Sequence, residues 1–260
     1  MQTLDRIGSR CYNEENKKWL MTTMNDERIL NIRRAEAFSH TEAYTNLPLF
    51  ESGSWLSKPV KSVMDLMHYF KEYPSFHGLD LGCGIGINCI PVLHSLPEIP
   101  RRMDCVDILP LAIEKLRDNA EKYGVLDAIK GIASPVDSYP IKELEYDLIL
   151  GISVLEHLES ADTMRRKLAE IRAGLQPGGI ACFVVNTAIE EHDKSTGEPL
   201  PVQFEINLET SRMEQIFDEI FSGFDVLKHS VIHYQYDTYR ESGTVVLDTD
   251  VLTFAVRKRN

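Results

Sequence analysis

Two short segments hold residue types and spacings that can do chemistry. In Asp80-Leu81-Gly82-Cys83-Gly84-Ile85-Gly86 three glycines alternate behind an acidic residue, between a strand-like run and a helical one. Glycines without a Cβ let the backbone turn sharply and approach a ligand, and the helix start that follows offers free N–H groups. The G-x-G-x-G spacing differs from the G-x-G-x-x-G of dinucleotide binding, and no lysine follows as in a phosphate loop. The second segment, Gly151-Ile152-Ser153-Val154-Leu155-Glu156-His157-Leu158, follows an apolar run and brings a histidine to a strand end. Histidine is the side chain best suited to proton transfer near neutral pH.

Alternating elements must position these segments. Strand-like runs at 78–81, 103–107, 128–133, 146–152 and 180–185 alternate with helical patterns at 87–96, 109–123 and 164–175. Strand followed by helix, repeated, predicts a mostly parallel sheet with helices on both faces. Ligands in such sheets bind at the carboxyl ends of the strands. Residues 1–75 read as a helical extension, with a patchy apolar face through Trp19, Leu20, Met24, Ile29, Ile32 and Phe38 and a clearer helix over 58–72. Residues 187–208 read as a loop or cap, and 209–260 as a helix followed by an antiparallel hairpin with strands near 225–236 and 244–256. The whole chain, 1–260, is expected to be one domain with its core at 76–186.

Composition narrows the class. The 260 residues are 43% hydrophobic and 26% charged, in the range of globular chains. No run approaches the length of a membrane span, and residues 1–31 lack a signal-peptide core. The five cysteines, Cys11, Cys83, Cys89, Cys105 and Cys182, form no C-x-x-C pair, so a metal cluster is not predicted and a reduced, cytoplasmic location is expected. The net charge of −12 argues against nucleic acid or an anionic membrane as partner.

The Asp80–Gly86 segment resembles motif I of the class I S-adenosylmethionine-dependent methyltransferases, roughly D-x-G-x-G-x-G. Ser153–Leu158 resembles the S-x-L-E-H-L segment of small-molecule members of that class, and Leu175-Gln176-Pro177-Gly178-Gly179 resembles its L-x-P-G-G turn. The resemblance spans about residues 76–186. It implies a Rossmann-like, doubly wound α/β fold with a mostly parallel seven-stranded sheet, one strand antiparallel, plus the N-terminal helical extension.

The resemblance also implies a site. Asp80, Gly82, Cys83, Gly84 and Gly86 would surround S-adenosylmethionine, released as S-adenosylhomocysteine after transfer. Asp107 would accept both ribose hydroxyls and also fits a helix N-cap, while Ile108 would lie along the adenine. The adenine edge is left to the main chain of Ala133 or Ser134, or to Asp137. Gly151 and Ile152 would receive the methionine ammonium. His157 is the candidate general base, or else orients Glu156. Tyr44, Trp55, Glu190, His192 and Glu205 are candidates for acceptor or lid contacts. The expected partner is a small-molecule methyl acceptor taking the methyl at O, N or S. A non-catalytic binder of the same cofactor, a protein methyltransferase and a nicotinamide dehydrogenase are the competing readings.

Overall fold

The computed structural model describes the main chain of residues 14–240 and 243–259, with side chains from Glu27 onward except Tyr239. The apolar positions assigned to Trp19, Leu20 and Met24, and the cysteine Cys11, lie outside the described side chains.

The sheet is built from the apolar runs. Strands β1 (Phe76–Leu81), β2 (Arg101–Asp107), β3 (Ile129–Ala133), β4 (Tyr146–Ile152) and β5 (Leu175–Asp193) are parallel to one another. A two-residue strand, β6 (Pro199–Leu200), pairs with β5. The hairpin β7 (Asp225–Arg240) and β8 (Gly243–Arg257) closes the far side, β8 lying antiparallel between β5 and β7. The order is β3-β2-β1-β4-β5-β8-β7, with β6 making an eighth strand. Expectation and structure agree on a mostly parallel α/β sheet in which β8 runs opposite to its neighbours. β1 pairs with both β2 and β4, so strand order reverses there and a crevice opens at their carboxyl ends.

Helices cover both faces. One layer contains α2 (Lys61–Asp65), α3 (Cys89–His94) and α4 (Pro110–Lys122), and the other α5 (Ala161–Gly174) and α6 (Thr210–Ile220). Their starts follow local chemistry. Pro110 occupies the first turn of α4, where its missing N–H costs nothing. The Ser160 hydroxyl accepts from the Thr163 amide and caps α5. In the second layer Phe217 lies flat against Phe254, with ring centroids 4.7 Å apart, and stacks on Phe183 at 5.1 Å. The N-terminal extension contains one long helix, α1 (Glu14–Asn46), ahead of α2.

Three boundaries differ from the sequence reading. The helix expected over 58–72 is α2 followed by a 3₁₀ turn at Met67–Phe70. Its buried Val63, Leu66, Met67 and Phe70 include pairs three apart, which a three-residue turn stacks on one side. Residues 187–193 are strand rather than loop, because β5 continues past the core. There Thr187, Ile189 and Glu191 are buried while Glu190 is exposed; polar residues at inward positions hide the alternation. A bulge between Thr187 and Glu190, with Ala188 at φ 46°, re-aims this extension. The first hairpin strand runs four residues past 236 to Arg240, and the second begins at Gly243, one residue before 244.

Truncating the central ring of the aromatic stack leaves a cavity between two layers. Phe217→Ala is expected to cost about 3–5 kcal/mol, read as a lowered denaturant midpoint at unchanged m-value.

Candidate active site

The glycine loop is shaped by what packs behind it. Gly82 has φ +71°, and a Cβ there would stand 2.7 Å from Val154 Cγ2. Gly84 has φ +52°, and its Cβ would meet Tyr44 Oη at 2.8 Å. Both positions therefore require glycine on conformational and steric grounds.

Asp107 ties this loop to the next strand end. One carboxylate oxygen, Oδ2, accepts from the Gly84 amide at 2.9 Å, and Oδ1 accepts from the Leu109 amide at 2.9 Å. Burial raises the Asp107 pKa, and the Leu109 and Gly84 amides pull it back. Asp80 lies deeper. Burial, with the Asp107 charge beside it, pushes its carboxyl up to about 8, and its Oδ2 is buried without a hydrogen-bond partner. A ligand carrying N–H donors would supply one.

A cavity opens at these strand ends, and α1 closes it. Gly82, Asp107, Ile108 and Leu109 form one side, Ser153, Val154, His157 and Leu158 another, and Pro135, Val136 and Asp137 the end. Arg33, Glu36, Ala37, His40 and Tyr44 of α1 face them, with Glu205 beside. Ser153 has φ +48° and donates its amide to Val184 O at 2.7 Å, a strained turn that aims the His157 segment across the crevice.

His157 is held from the far side. Its Nδ1 donates to Glu205 Oε2 at 3.1 Å, and its ring stacks on Phe204 with centroids 5.0 Å apart. Burial of the imidazole lowers its pKa, but the Glu205 hydrogen bond and the Glu36 and Glu156 carboxylates more than offset that and push it up to about 9. At neutral pH the ring is a cation that donates, and it becomes a base only near pH 9. Glu205 also accepts from Arg33 Nε at 3.4 Å, while Arg28 donates to the Phe204 carbonyl at 2.6 Å. Glu156 turns away, its Oε1 accepting from the Asn186 amide and side chain at 3.0 and 2.7 Å.

The structure therefore gathers Gly82, Asp107, Ile108, Tyr44, His157 and Glu205 around one cavity. Cys83, Gly84 and Gly86 form the loop behind it, and Asp80 lies beneath. Ala133 and Ser134, like Gly151 and Ile152, end just short of the lining residues that succeed them in the chain. Trp55 is 56% exposed, its ring 6.0 Å from those of Tyr44 and His40 at the rim. Glu190 and His192 are not brought in: they face each other at 3.9 Å on the open side of β5, opposite in direction to Glu191. The α1 residues Arg33, Glu36 and His40 were missed by motif reading. Their signal is helical spacing, since 33, 36, 37, 40 and 44 share one face of a 3.6-residue helix.

Residues 79–179 match a sequence family described as methyltransferase domain. This stretch, less than half of the chain, is similar to a methyltransferase domain. Its curated relatives include the tRNA N(3)-cytidine methyltransferase METTL2 of Mus musculus, 27% identical over 116 residues, which is 42% of this chain and 30% of that protein. The Bos taurus protein of the same name is 25% identical over 130 residues, 46% of this chain and 34% of that one. The chain thus spans about a third of the length of these relatives. Among solved structures, the fold resembles TehB from Haemophilus influenzae, with TM-score 0.57 and 19% identity over 75% of this chain and 62% of that one. It also resembles the N-methyltransferase NodS from Bradyrhizobium japonicum WM9 in complex with S-adenosylhomocysteine, with TM-score 0.52 and 16% identity over 87% and 100% of the two chains.

The cofactor of this domain class is S-adenosylmethionine, and the residues present fit it: an unpartnered buried carboxylate oxygen on Asp80, a cradle that a Cβ would fill, and carboxylate capacity on Asp107. The relatives correct one expectation. A small-molecule partner, with nucleic acid disfavoured by charge, does not stand against curated relatives named as tRNA methyltransferases. Net charge sums over the whole chain, whereas polyanion contact is local. Several of the carboxylates counted, those of Asp80, Asp104, Asp107, Glu156 and Glu191, are buried. Among the described residues no helix is long and apolar enough to cross a membrane.

Two measurements follow from this geometry. Asp107→Asn is expected to weaken S-adenosylhomocysteine binding about 10–100-fold, the worth of one or two hydrogen bonds to a charged group, in calorimetry against the parent chain. The His157 ring is expected to titrate near pH 9 by NMR, and in Glu205→Gln to fall substantially. Because the folded pKa lies above the unfolded value, the stability from this pair is fully present below about pH 6.5 and lost as pH rises through about 9.

Proposed function

We propose that this chain transfers a methyl group from S-adenosylmethionine to a ring nitrogen of a nucleobase. The observation that carries the reading is the cavity in which Asp107 and the glycine loop stand across from a charged His157–Glu205 pair, beneath α1. Bound S-adenosylmethionine supplies a methyl group activated on a sulfonium. Asp107 would hold the ribose hydroxyls, Asp80 would answer the ammonium directly or through water, and Ile108 with Pro135 and Val136 would flank the adenine.

The acceptor reading rests on the curated relatives, whose name specifies N(3) of cytidine. Such a nitrogen attacks through a lone pair and has no proton to lose, so no general base is required. A cationic His157 suits this chemistry as a hydrogen-bond donor to an acceptor oxygen. Glu36 and Glu205 would offset the positive charge that grows on the ring as the nitrogen is alkylated. Tyr44, which lines the cavity, offers aromatic surface for a planar base. Closure by α1 excludes water and orients the acceptor, which is the protein's main part in a displacement reaction.

The test is incubation with methyl-labelled S-adenosylmethionine and total tRNA, followed by digestion to nucleosides. Label is expected in a modified nucleoside. Loss of this preorganised donor in His157→Ala is expected to lower turnover about 100-fold or more with S-adenosylhomocysteine affinity changed less than threefold. Absence of label from RNA, with cofactor binding intact, overturns the acceptor class. Absence of cofactor binding overturns the whole reading.

A further inference from the structure

β7 is the outermost strand of the sheet, and no element of the described chain hydrogen-bonds along its outer edge. It is 16 residues long, against about 5–6 for an ordinary strand. Residues 231–237 are exposed one after another, so neither face of this stretch is covered. Ile232, Tyr234 and Tyr236 lie on one face, at 50%, 47% and 46% exposure, and Val231 on the other. A long unpaired strand edge with apolar side chains and no proline is a template for another strand. The usual protections sit at one end only: a bulge between Val226 and Lys228, and Lys228 itself.

We propose that two copies of this chain pair through β7, antiparallel about a twofold axis at His233, joining their sheets into one. Directly opposed residues in an antiparallel pair must emerge on the same face, so the axis passes through a residue and sets it against its own copy. With the axis at His233, Ile232 of one copy meets Tyr234 of the other, Val231 meets Gln235, Ser230 meets Tyr236, His229 meets Asp237 and Lys228 meets Thr238. His233 meets its own copy on the axis, β-branched Ile232 pairs with aromatic Tyr234 on either side of it, neither lysine nor arginine meets another cation, and His229 gains a carboxylate. An axis at Ile232 sets Val231 against His233 and Ser230 against Tyr234. An axis at Tyr234 sets Val231 against Asp237. The regular ladder beyond the bulge runs from Lys228 to Arg240; the Tyr234 axis would set Lys228 against Arg240, two like charges, whereas the His233 axis uses Lys228 to Thr238, about 36 Å of ladder at 3.3 Å per residue. His229 and Asp237 already hold Glu214 and Lys194 within the chain and remain about half exposed, open to a further partner.

Sedimentation equilibrium of the full chain is expected to give about twice the 29.6 kDa chain mass. The register is tested by His233→Cys in a Cys11→Ser background, where the four described cysteines are buried. Mild oxidation is expected to convert most of it to a covalent dimer on a non-reducing gel, while Val231→Cys stays largely uncrosslinked because its copies lie several residues apart. Ile232→Lys combined with Tyr234→Lys is expected to sediment as a monomer with unchanged circular dichroism. A monomeric parent chain at its highest soluble concentration overturns the proposal. So does a dimer in which Val231→Cys crosslinks faster than His233→Cys, or one that survives the double lysine variant.

Discussion

One carboxylate holds the glycine-loop end of the cavity together. Asp107 sits at the carboxyl end of β2 and accepts main-chain N–H groups from two turns at once, Gly84 across the crevice and Leu109 in its own chain. Those amides belong to a glycine loop and to the residue before a helix, neither of which has a strand partner to satisfy it. Without Asp107 the loop keeps the bonds of its Gly82 and Cys83 amides to the Val106 carbonyl of β2, but the Gly84 amide loses its partner, and with it the fixed distance of Gly84 from Tyr44. The same residue that would read the ribose thus also sets the shape of the cradle. Its burial makes both tasks stronger, because a carboxylate removed from water must be satisfied by the groups around it.

The opposite wall depends on a second buried carboxylate, reached from three directions. Glu205 is contacted by His157 from the β4 end and by Arg33 from α1, and Arg28 grips the main chain beside it. Arg240 repeats the pattern further out, binding Glu191 of β5 and Glu36 of α1. These pairs fasten α1 to the β5–β8–β7 extension as well as to the core. Breaking either leaves a buried charge alone, a larger cost than the pair's net contribution. The wall around His157 is therefore organised by ionic contacts, and the wall around the glycine loop by main-chain hydrogen bonds.

This division explains what was legible in the sequence. The glycine-loop side is local: Asp80 to Gly86 and Gly151 to His157 are contiguous, and their neighbours follow from strand ends. The other side joins residues far apart, such as Arg33 with Glu205 and Arg240 with Glu36, and nothing in either segment announces its partner. Residues 187–193 read as loop because Thr187 and Glu191 occupy inward positions that pattern reading reserves for apolar side chains. Their partners, Thr249 with Asp250 and Arg240, arrive from strands that follow much later in the chain. Glu190 and His192 were singled out for charge, but strand alternation turns both outward and leaves Glu191 facing in.

The charges around the cavity also decide which chemistry it tolerates. Arg33 and protonated His157 supply two cations, against the carboxylates of Glu36, Asp107, Asp137 and Glu205. Asp80, pushed up to about 8, contributes little charge at neutral pH, and burial keeps His40 neutral by lowering its pKa despite Glu36. The lining is left with a surplus of two negative charges. S-adenosylmethionine carries one net positive charge, so one negative charge remains to balance it. That remainder favours an acceptor which becomes cationic as it is alkylated, and it makes a second anion in the same space costly. A phosphate of any polymeric acceptor would then stay outside the cavity, on the α1 surface, while the base alone enters.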